Sequence, residues 1–321
     1  MIPSTSKAAP QAPARFNLDL IPSSLSNYIG NEQVKRAIQI NINAAKKHNL
    51  IIPHMLFLGL RGMGKTTLAK LVAKEVGLPF TYFEGPAINK IWDLNNIMTD
   101  LPAPNSILII DEIHGLDRKL SDLMHQAMDT FSYSYTNDKH KLMTIKTRPF
   151  SLIGMTTYEG SLSEPFYSRF DMHHLEPYSV INLQTIVMNV ARNNKITVDN
   201  ASAYQIAMRS QNTPRAALKN LRRCYIYALS YNNGVINEEM VTESMKLHRI
   251  DGMGLEAQQR AILKVLDGRP MGLTSLALSA GLDPKSVETL HEPYLVKIGF
   301  IEKTVRGRVI TPTGKLYISR G

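Results

Sequence analysis

The chain has 321 residues, 44% apolar and 20% charged, with a formal net charge of +10 and a single cysteine. That length allows two or three domains, and one cysteine excludes an intrachain disulfide. No apolar run reaches the roughly 18 residues of a membrane helix, and the cationic excess points to a polyanionic partner.

The opening "MIPSTSKAAPQAPARFNLDL" is rich in Pro, Ala and Ser and has no apolar h-region. It reads as a flexible tail over residues 1–18, and a cytoplasmic location is expected. From about Leu20 short apolar runs alternate with helical stretches. "HMLFLG" (54–59), "FTYFEG" (80–85), "SILIID" (106–111) and "FSLIGMT" (150–156) are strands by length and β-rich composition. Helices are expected between them, over Thr66–Val76 closed by Gly77 and over Lys119–Asp129. Such alternation predicts an α/β domain over 19–180 whose parallel sheet is covered on both faces.

"FSYSYTNDKHKLMTIK" (131–146) interrupts this rhythm. Two alternating runs around Asn137-Asp138 predict a projecting β-hairpin. Residues 181–250 carry helical periodicity and form a small helical domain, with Cys224 as a core filler. "IDGMG" (250–254) reads as a linker. Over 251–321, three helices followed by the basic ribbon "GFIEKTVRGRVITPTGK" predict a winged helix.

Gly59-Leu60-Arg61-Gly62-Met63-Gly64-Lys65-Thr66 satisfies G-x-x-x-x-G-K-[ST] between a strand and a helix. In such a loop the backbone around Gly59, Gly62, Met63 and Gly64 turns its N–H groups toward phosphate oxygens, aided by the helix N-terminus that Thr66 and Thr67 open. Lys65 reaches the β- and γ-phosphates, and the Thr66 hydroxyl ligates Mg²⁺. "ILIIDE", about forty residues downstream, ends an apolar strand in two carboxylates. Asp111 holds the metal and Glu112 polarises the attacking water, which marks a hydrolase using ATP and Mg²⁺. Arg169, Arg215 and Thr157 are candidates for charge stabilisation and water orientation.

Taken in order, "LSNYIGNEQVKRAI", "GMGKTTLA", "LIIDEIHGL", "FSLIGMTTYEGSLSEPFYSRF", "NTPRAALKNLRR" and "HEPYLVKIGFIEKTVRGRVITP" resemble the RuvB family, the AAA+ motors of Holliday-junction branch migration. The likeness runs from about Asp19 to the C-terminus. It implies an AAA+ large domain, a helical lid and a winged helix, assembled as a homohexamer that pulls duplex DNA. It also implies a RuvA-like junction-binding partner docked on hairpin 131–146.

By the same resemblance, Lys65 and Thr66 take the Walker A roles, Asp111 and Glu112 the Walker B roles, and Thr157 that of sensor 1. Arg169 in "SRF" is the arginine finger acting on the adjacent subunit, and Arg215 in "TPR" is sensor 2. Tyr28, Ile29 and Tyr178 line the adenine pocket. Lys303 and Arg308, with Arg306 between them, contact the DNA backbone. Such contacts suit a translocating protein because they hold phosphates without reading bases.

The chain departs from the family pattern at several places. Arg61 stands where the P-loop usually has proline, Tyr158 replaces a basic residue after sensor 1, and "LIP" (20–22) lacks an arginine. The hairpin is unusually rich in Tyr and Lys. Two other readings use the same motifs: a clamp-loader-like or helicase-loader ATPase, and a DNA-binding adaptor that uses ATP only to assemble. An intact Glu112 favours turnover over mere assembly.

Overall fold

The computed structural model describes residues 21–158, 160 and 162–320, so the expected tail over 1–18 lies outside them. The first domain opens with α1 (Glu32–His48), then β1 (Met55–Leu58), α2 (Lys65–Val76), β2 (Phe80–Glu84) and α3 (Ile91–Thr99). It continues with β3 (Ser106–Asp111), α4 (Arg118–Thr130), β4 (Ser132–Thr136), β5 (Leu142–Lys146), β6 (Phe150–Thr156), α5 (Glu164–Tyr167) and β7 (Asp171–His174). Five strands form one sheet in the order β2-β3-β6-β1-β7, and its pairings are all parallel.

Alternation along each strand explains why both faces are covered. Phe57, Ile107, Ile109, Ile153 and Met155 face one core, which α1, α2 and the lid complete. Leu56, Leu58, Leu108, Ile110 and Leu152 face the other, beneath α3 and α4. The loops carrying chemistry leave from the carboxyl ends of β1, β3 and β6, the common ligand edge of an open parallel sheet.

The strands and helices expected in this domain are present, and α1, α3, α5 and β7 are added to them. β7 pairs in register with β1, Met55 opposite Asp171 through Leu58 opposite His174. The β4–β5 hairpin pairs Ser132 with Lys146 and Thr136 with Leu142, as the alternating pattern predicts.

The lid comprises α6 (Val180–Asn193), β8 (Thr197–Val198), α7 (Asn200–Met208), α8 (Pro214–Tyr231), β9 (Val235–Ile236) and α9 (Glu238–Leu247). Ser179, Asp199, Thr213 and Asn237 each cap the helix that follows through a side-chain oxygen. The β8–β9 pair is a small parallel addition to an otherwise helical unit.

The C-terminal unit comprises α10 (Ala257–Leu266), α11 (Leu273–Ser279), α12 (Pro284–Ser286), a π-turn over Val287–His291, α13 (Glu292–Lys297), β10 (Ile301–Thr304), β11 (Gly307–Ile310) and α14 (Pro312–Ser319). The π-turn, in which Glu292 N–H donates to the Val287 carbonyl, comes immediately before Pro293, a residue with no N–H to give. The winged helix is as expected, with α14 as an unforeseen closing helix.

"IDGMG" is a turn bound into its surroundings. Asp251 receives Arg260 Nη1 at 3.3 Å on Oδ2 and the Tyr317 hydroxyl on the same oxygen. Arg260 Nη2 donates to the Arg249 carbonyl at 2.7 Å, and Gln211 Nε2 donates to Gln259 Oε1 at 2.9 Å. Lid and winged helix are thereby joined by more than a peptide tether.

Candidate functional site

The loop Gly59–Gly64 connects β1 to α2, whose first residue is Lys65. Gly64 adopts φ +89°, and a Cβ there would lie 2.8 Å from the Tyr28 hydroxyl, so both conformation and space demand glycine. Lys65 is buried, and its Nζ donates to the Gly59 carbonyl at 2.6 Å and the Leu60 carbonyl at 3.2 Å. Burial pushes its ammonium below the ordinary lysine range, and the charges of Glu112 and Asp111 oppose that shift. Arg61 is exposed at the loop, and its charge adds to the lowering.

The end of β3 meets α2 across the sheet edge. Thr66 Oγ1 donates to Asp111 Oδ2 at 2.7 Å, and the Tyr82 hydroxyl donates to the same oxygen at 3.1 Å. Tyr82 is pushed up to about 12, first by burial and then by the charge of Asp111. Glu112 sits in the left-handed region at φ 48°, turning the chain sharply after the strand. Its Oε2 is buried, accepts no hydrogen bond among the described residues, and faces His114 Nδ1 at 3.4 Å.

Thr66, Asp111 and Glu112 therefore cluster hard oxygen donors beside a lysine, which suits Mg²⁺. Among the described residues no group of three or more His, Cys, Asp or Glu could hold a metal.

Thr157 follows β6 and is partly exposed. Its buried neighbour Thr156 shares a 2.9 Å hydrogen bond with His114 Nδ1, and Tyr158 N–H donates to Thr156 Oγ1 at 3.0 Å. The Tyr158 ring meets His114 edge-on, 4.9 Å between centroids. His114 thus stands between the Glu112 carboxylate and the end of β6. It was present in the "DEIH" string, yet nothing in the string distinguished it from a surface histidine.

Tyr28 and Tyr178 come together from opposite ends of the domain. Tyr178 Oη donates to Tyr28 Oη at 2.8 Å, and Tyr28 Oη donates to the Met63 carbonyl at 3.3 Å. Burial raises both phenols above their ordinary range; Tyr178 adds to the rise at Tyr28, while the hydrogen bond that Tyr178 makes to Tyr28 opposes its own. With Ile29, Gly64, Thr67, Pro214 and Leu218 they line a cavity of about 330 Å³ between the large domain and the lid. Arg215 is exposed at the start of α8, and its backbone N–H donates to the Gly62 carbonyl at 3.3 Å. The lid thus touches the phosphate loop directly.

Arg169 is not at this cradle. It lies after α5 and pairs with Asp129 at the end of α4. In the winged helix, Arg306 is exposed at the β10–β11 turn and Lys303 is half-exposed. Arg308 is mostly buried and pairs with Glu292, so the three basic residues read together in the sequence occupy different environments.

No helix among the described residues is long and apolar enough to cross a membrane. The parallel sheet, the phosphate loop after β1 and the two carboxylates closing β3 define a P-loop ATPase with a helical lid, fused to a winged helix. Three family descriptions match successive parts of the chain: the Holliday junction DNA helicase RuvB P-loop domain over 20–175, the RuvB AAA lid domain over 178–251, and the RuvB C-terminal winged helix domain over 252–319. The chain is 36% identical to the Holliday junction branch migration complex subunit RuvB of Microcystis aeruginosa, over 91% of this chain and 84% of that protein.

Among solved structures, the Thermotoga maritima RuvB Holliday junction branch migration motor is 33% identical with a TM-score of 0.84, covering 94% of this chain and 98% of that one. A single-residue mutant of the Thermotoga maritima protein matches at a TM-score of 0.85 and 33% identity, covering 94% of this chain and 98% of that one. The chain belongs to the RuvB family.

Proposed function

We propose that this chain is an ATP-driven motor that assembles as a homohexameric ring, draws duplex DNA through it and drives branch migration of Holliday junctions. The observation that carries this reading is the coexistence, on one chain, of a hydrolytic phosphate site and a basic wing joined through a pinned turn. The activity for which its relatives are named agrees with it.

In this reading Lys65 and the loop N–H groups hold the phosphates, while Thr66 and Asp111 hold Mg²⁺, which supplies charge neutralisation to the departing phosphoryl group. Glu112, with Oε2 not already committed to a hydrogen bond, orients the attacking water. Thr157 acts as sensor 1 and Arg215 as sensor 2. Tyr28, Ile29 and Tyr178 enclose the base. Arg169, which bonds Asp129 rather than its own cradle, completes the site of the neighbouring subunit.

The β4–β5 hairpin exposes the apolar side chains of Leu142 and Met143, one on each face of the ribbon, where a RuvA-like junction-binding partner would dock. The wing meets DNA phosphates. The test is branch migration on a synthetic four-way junction with ATP and Mg²⁺, with and without a RuvA-like protein. Strand exchange that requires ATP is expected. ATP turnover with no movement of the junction overturns the motor in favour of a loader.

A further inference from the structure

We propose that His114 is the positioning residue of Glu112: its ring N–H, taken up by Thr156, steers the carboxylate without occupying the oxygen that must meet water. That role rests on the hydrolytic reading given above and deepens it by assigning what aims the general base.

The backbone brings the two side chains together. Glu112 turns the chain at φ 48°, and a short turn over Ile113–Gly115 follows, closed by Gly115 N–H on the Glu112 carbonyl at 2.8 Å. This turn is tightly seated, because a Cβ on Gly85 would lie 2.4 Å from the Glu112 carbonyl oxygen. Ile113 is fully buried and anchors the segment in the core. Glu112 and His114 flank it, and Oε2 and Nδ1 come within 3.4 Å of one another.

The partners of Thr156 decide where the ring proton sits. The buried Thr156 hydroxyl donates to the Tyr158 carbonyl at 3.2 Å and accepts the Tyr158 N–H at 3.0 Å. Its one proton is thereby committed, so its remaining lone pair accepts from His114 Nδ1 at 2.9 Å. A carboxylate oxygen 3.4 Å away demands the same proton, since a bare nitrogen lone pair there would repel it. Oε2 is thus drawn toward an N–H whose hydrogen bond is already made to Thr156, and it accepts none itself among the described residues. Lys65 does not supply this hold. It feels the charge of Glu112, but its Nζ is bonded to the Gly59 and Leu60 carbonyls. The Tyr158 ring, edge-on to His114 at 4.9 Å, supports the imidazole from the other side. Thr156 immediately precedes Thr157, so a shift at the end of β6 reaches Glu112 through one imidazole.

The experiment measures single-turnover phosphate release and equilibrium nucleotide binding by the full-length protein with ATP and Mg²⁺. His114→Asn keeps an N–H near the Nδ1 position and loses the ring. His114→Phe keeps a ring against Tyr158 and loses the N–H. The asparagine variant is expected to stay within about threefold of the wild-type rate, and the phenylalanine variant to fall by about tenfold or more at unchanged nucleotide affinity. In a Glu112→Gln background the phenylalanine substitution should cost nothing further, because the group it aims is already gone.

A loss in both single variants, or a larger loss for asparagine than for phenylalanine, makes His114 a packing residue and overturns the assignment. An additive loss on Glu112→Gln overturns it too, since His114 would then act by another route. If thermal unfolding shows that His114→Phe does not fold, Thr156→Val decides. That variant removes the acceptor, so the ring N–H turns onto Oε2 and hydrolysis falls, with no further effect in Glu112→Gln; an unchanged rate overturns the proposal. Wild-type hydrolysis by Glu112→Gln alone is a different failure, because it removes Glu112 from the role of general base and the hydrolytic reading with it.

Discussion

Arg169 grips Asp129 through two parallel hydrogen bonds, Nε to Oδ1 at 2.6 Å and Nη2 to Oδ2 at 2.9 Å. The hydrogen bonds from Arg169 hold the Asp129 carboxyl below its ordinary range, and the guanidinium is raised in turn. Both side chains are more than a third exposed, so the pair contributes little to stability. Its consequence is orientation: a guanidinium held by two bonds keeps its plane, and Nη1 donates to the Ser168 hydroxyl at 3.2 Å.

Asp129→Asn is therefore expected to lower the ATP turnover rate several-fold while leaving KM for ATP close to wild type. Arg169→Ala should abolish turnover, and mixing it with Lys65→Ala subunits should restore part of it. Steady-state kinetics and subunit-mixing assays check both. A wild-type rate for Asp129→Asn reduces the pair to a surface contact, and no rescue at any mixing ratio removes Arg169 from the role of a finger acting between subunits.

Glu112→Gln preserves size while removing the charge proposed to orient water. Nucleotide binding is expected to persist and hydrolysis to fall by about a hundredfold or more, in line with loss of a general base. Equilibrium binding of a fluorescent ATP analogue and phosphate release measure the two separately. Removing Mg²⁺ with a chelator should abolish turnover of the wild type, on the proposal that Thr66 and Asp111 hold that ion.

Gly64→Ala should abolish nucleotide binding. The substitution strains a left-handed backbone and drives a methyl group against the Tyr28 hydroxyl. Calorimetric titration with ATP is the direct measurement. A stability loss of about 1–3 kcal/mol is expected alongside it, from the strained conformation.

Stability should decline on acidification through the histidine range. Leu152 N–H donates to His54 Nδ1 at 2.8 Å, so that nitrogen must be unprotonated in the fold. Burial lowers His54, His173 and His291 from the ordinary value of 6.5. The unfolded chain then binds more protons than the fold in this range, so stability rises with pH. The contribution is complete above pH 6.5 and diminishes as pH falls below it. A melting temperature lower at about pH 5.5 than at about pH 7.5 is expected, and a flat profile contradicts it.

The four strands with β-rich apolar runs, the phosphate loop and the Walker B pair were legible because each is local: a period, a spacing, a flanking element. β7 was not, because "DMHH" is polar at three of four positions and becomes a strand only by pairing with β1 at the sheet edge. Partnerships across long separations were equally hidden. Asp129 is 40 residues from Arg169, and nothing in "QAMDTF" or "YSRFD" marks them as a pair. The wing's three cations read alike in "EKTVRGRV", yet their register and the buried Glu292 divide them into exposed and committed groups. Resemblance supplied roles for individual residues; packing supplied which of them are already occupied.

The turn at Asp251 bears on how far a movement at the nucleotide can travel. Arg215 N–H bonds the Gly62 carbonyl, and the same lid is fastened to the winged helix through Asp251, Arg260 and Gln259. Lid and winged helix are thus fastened to one another by side chains, and the lid in turn touches the phosphate loop. A displacement of the lid at Gly62 would be carried to the winged helix through these bonds and not through the peptide chain alone.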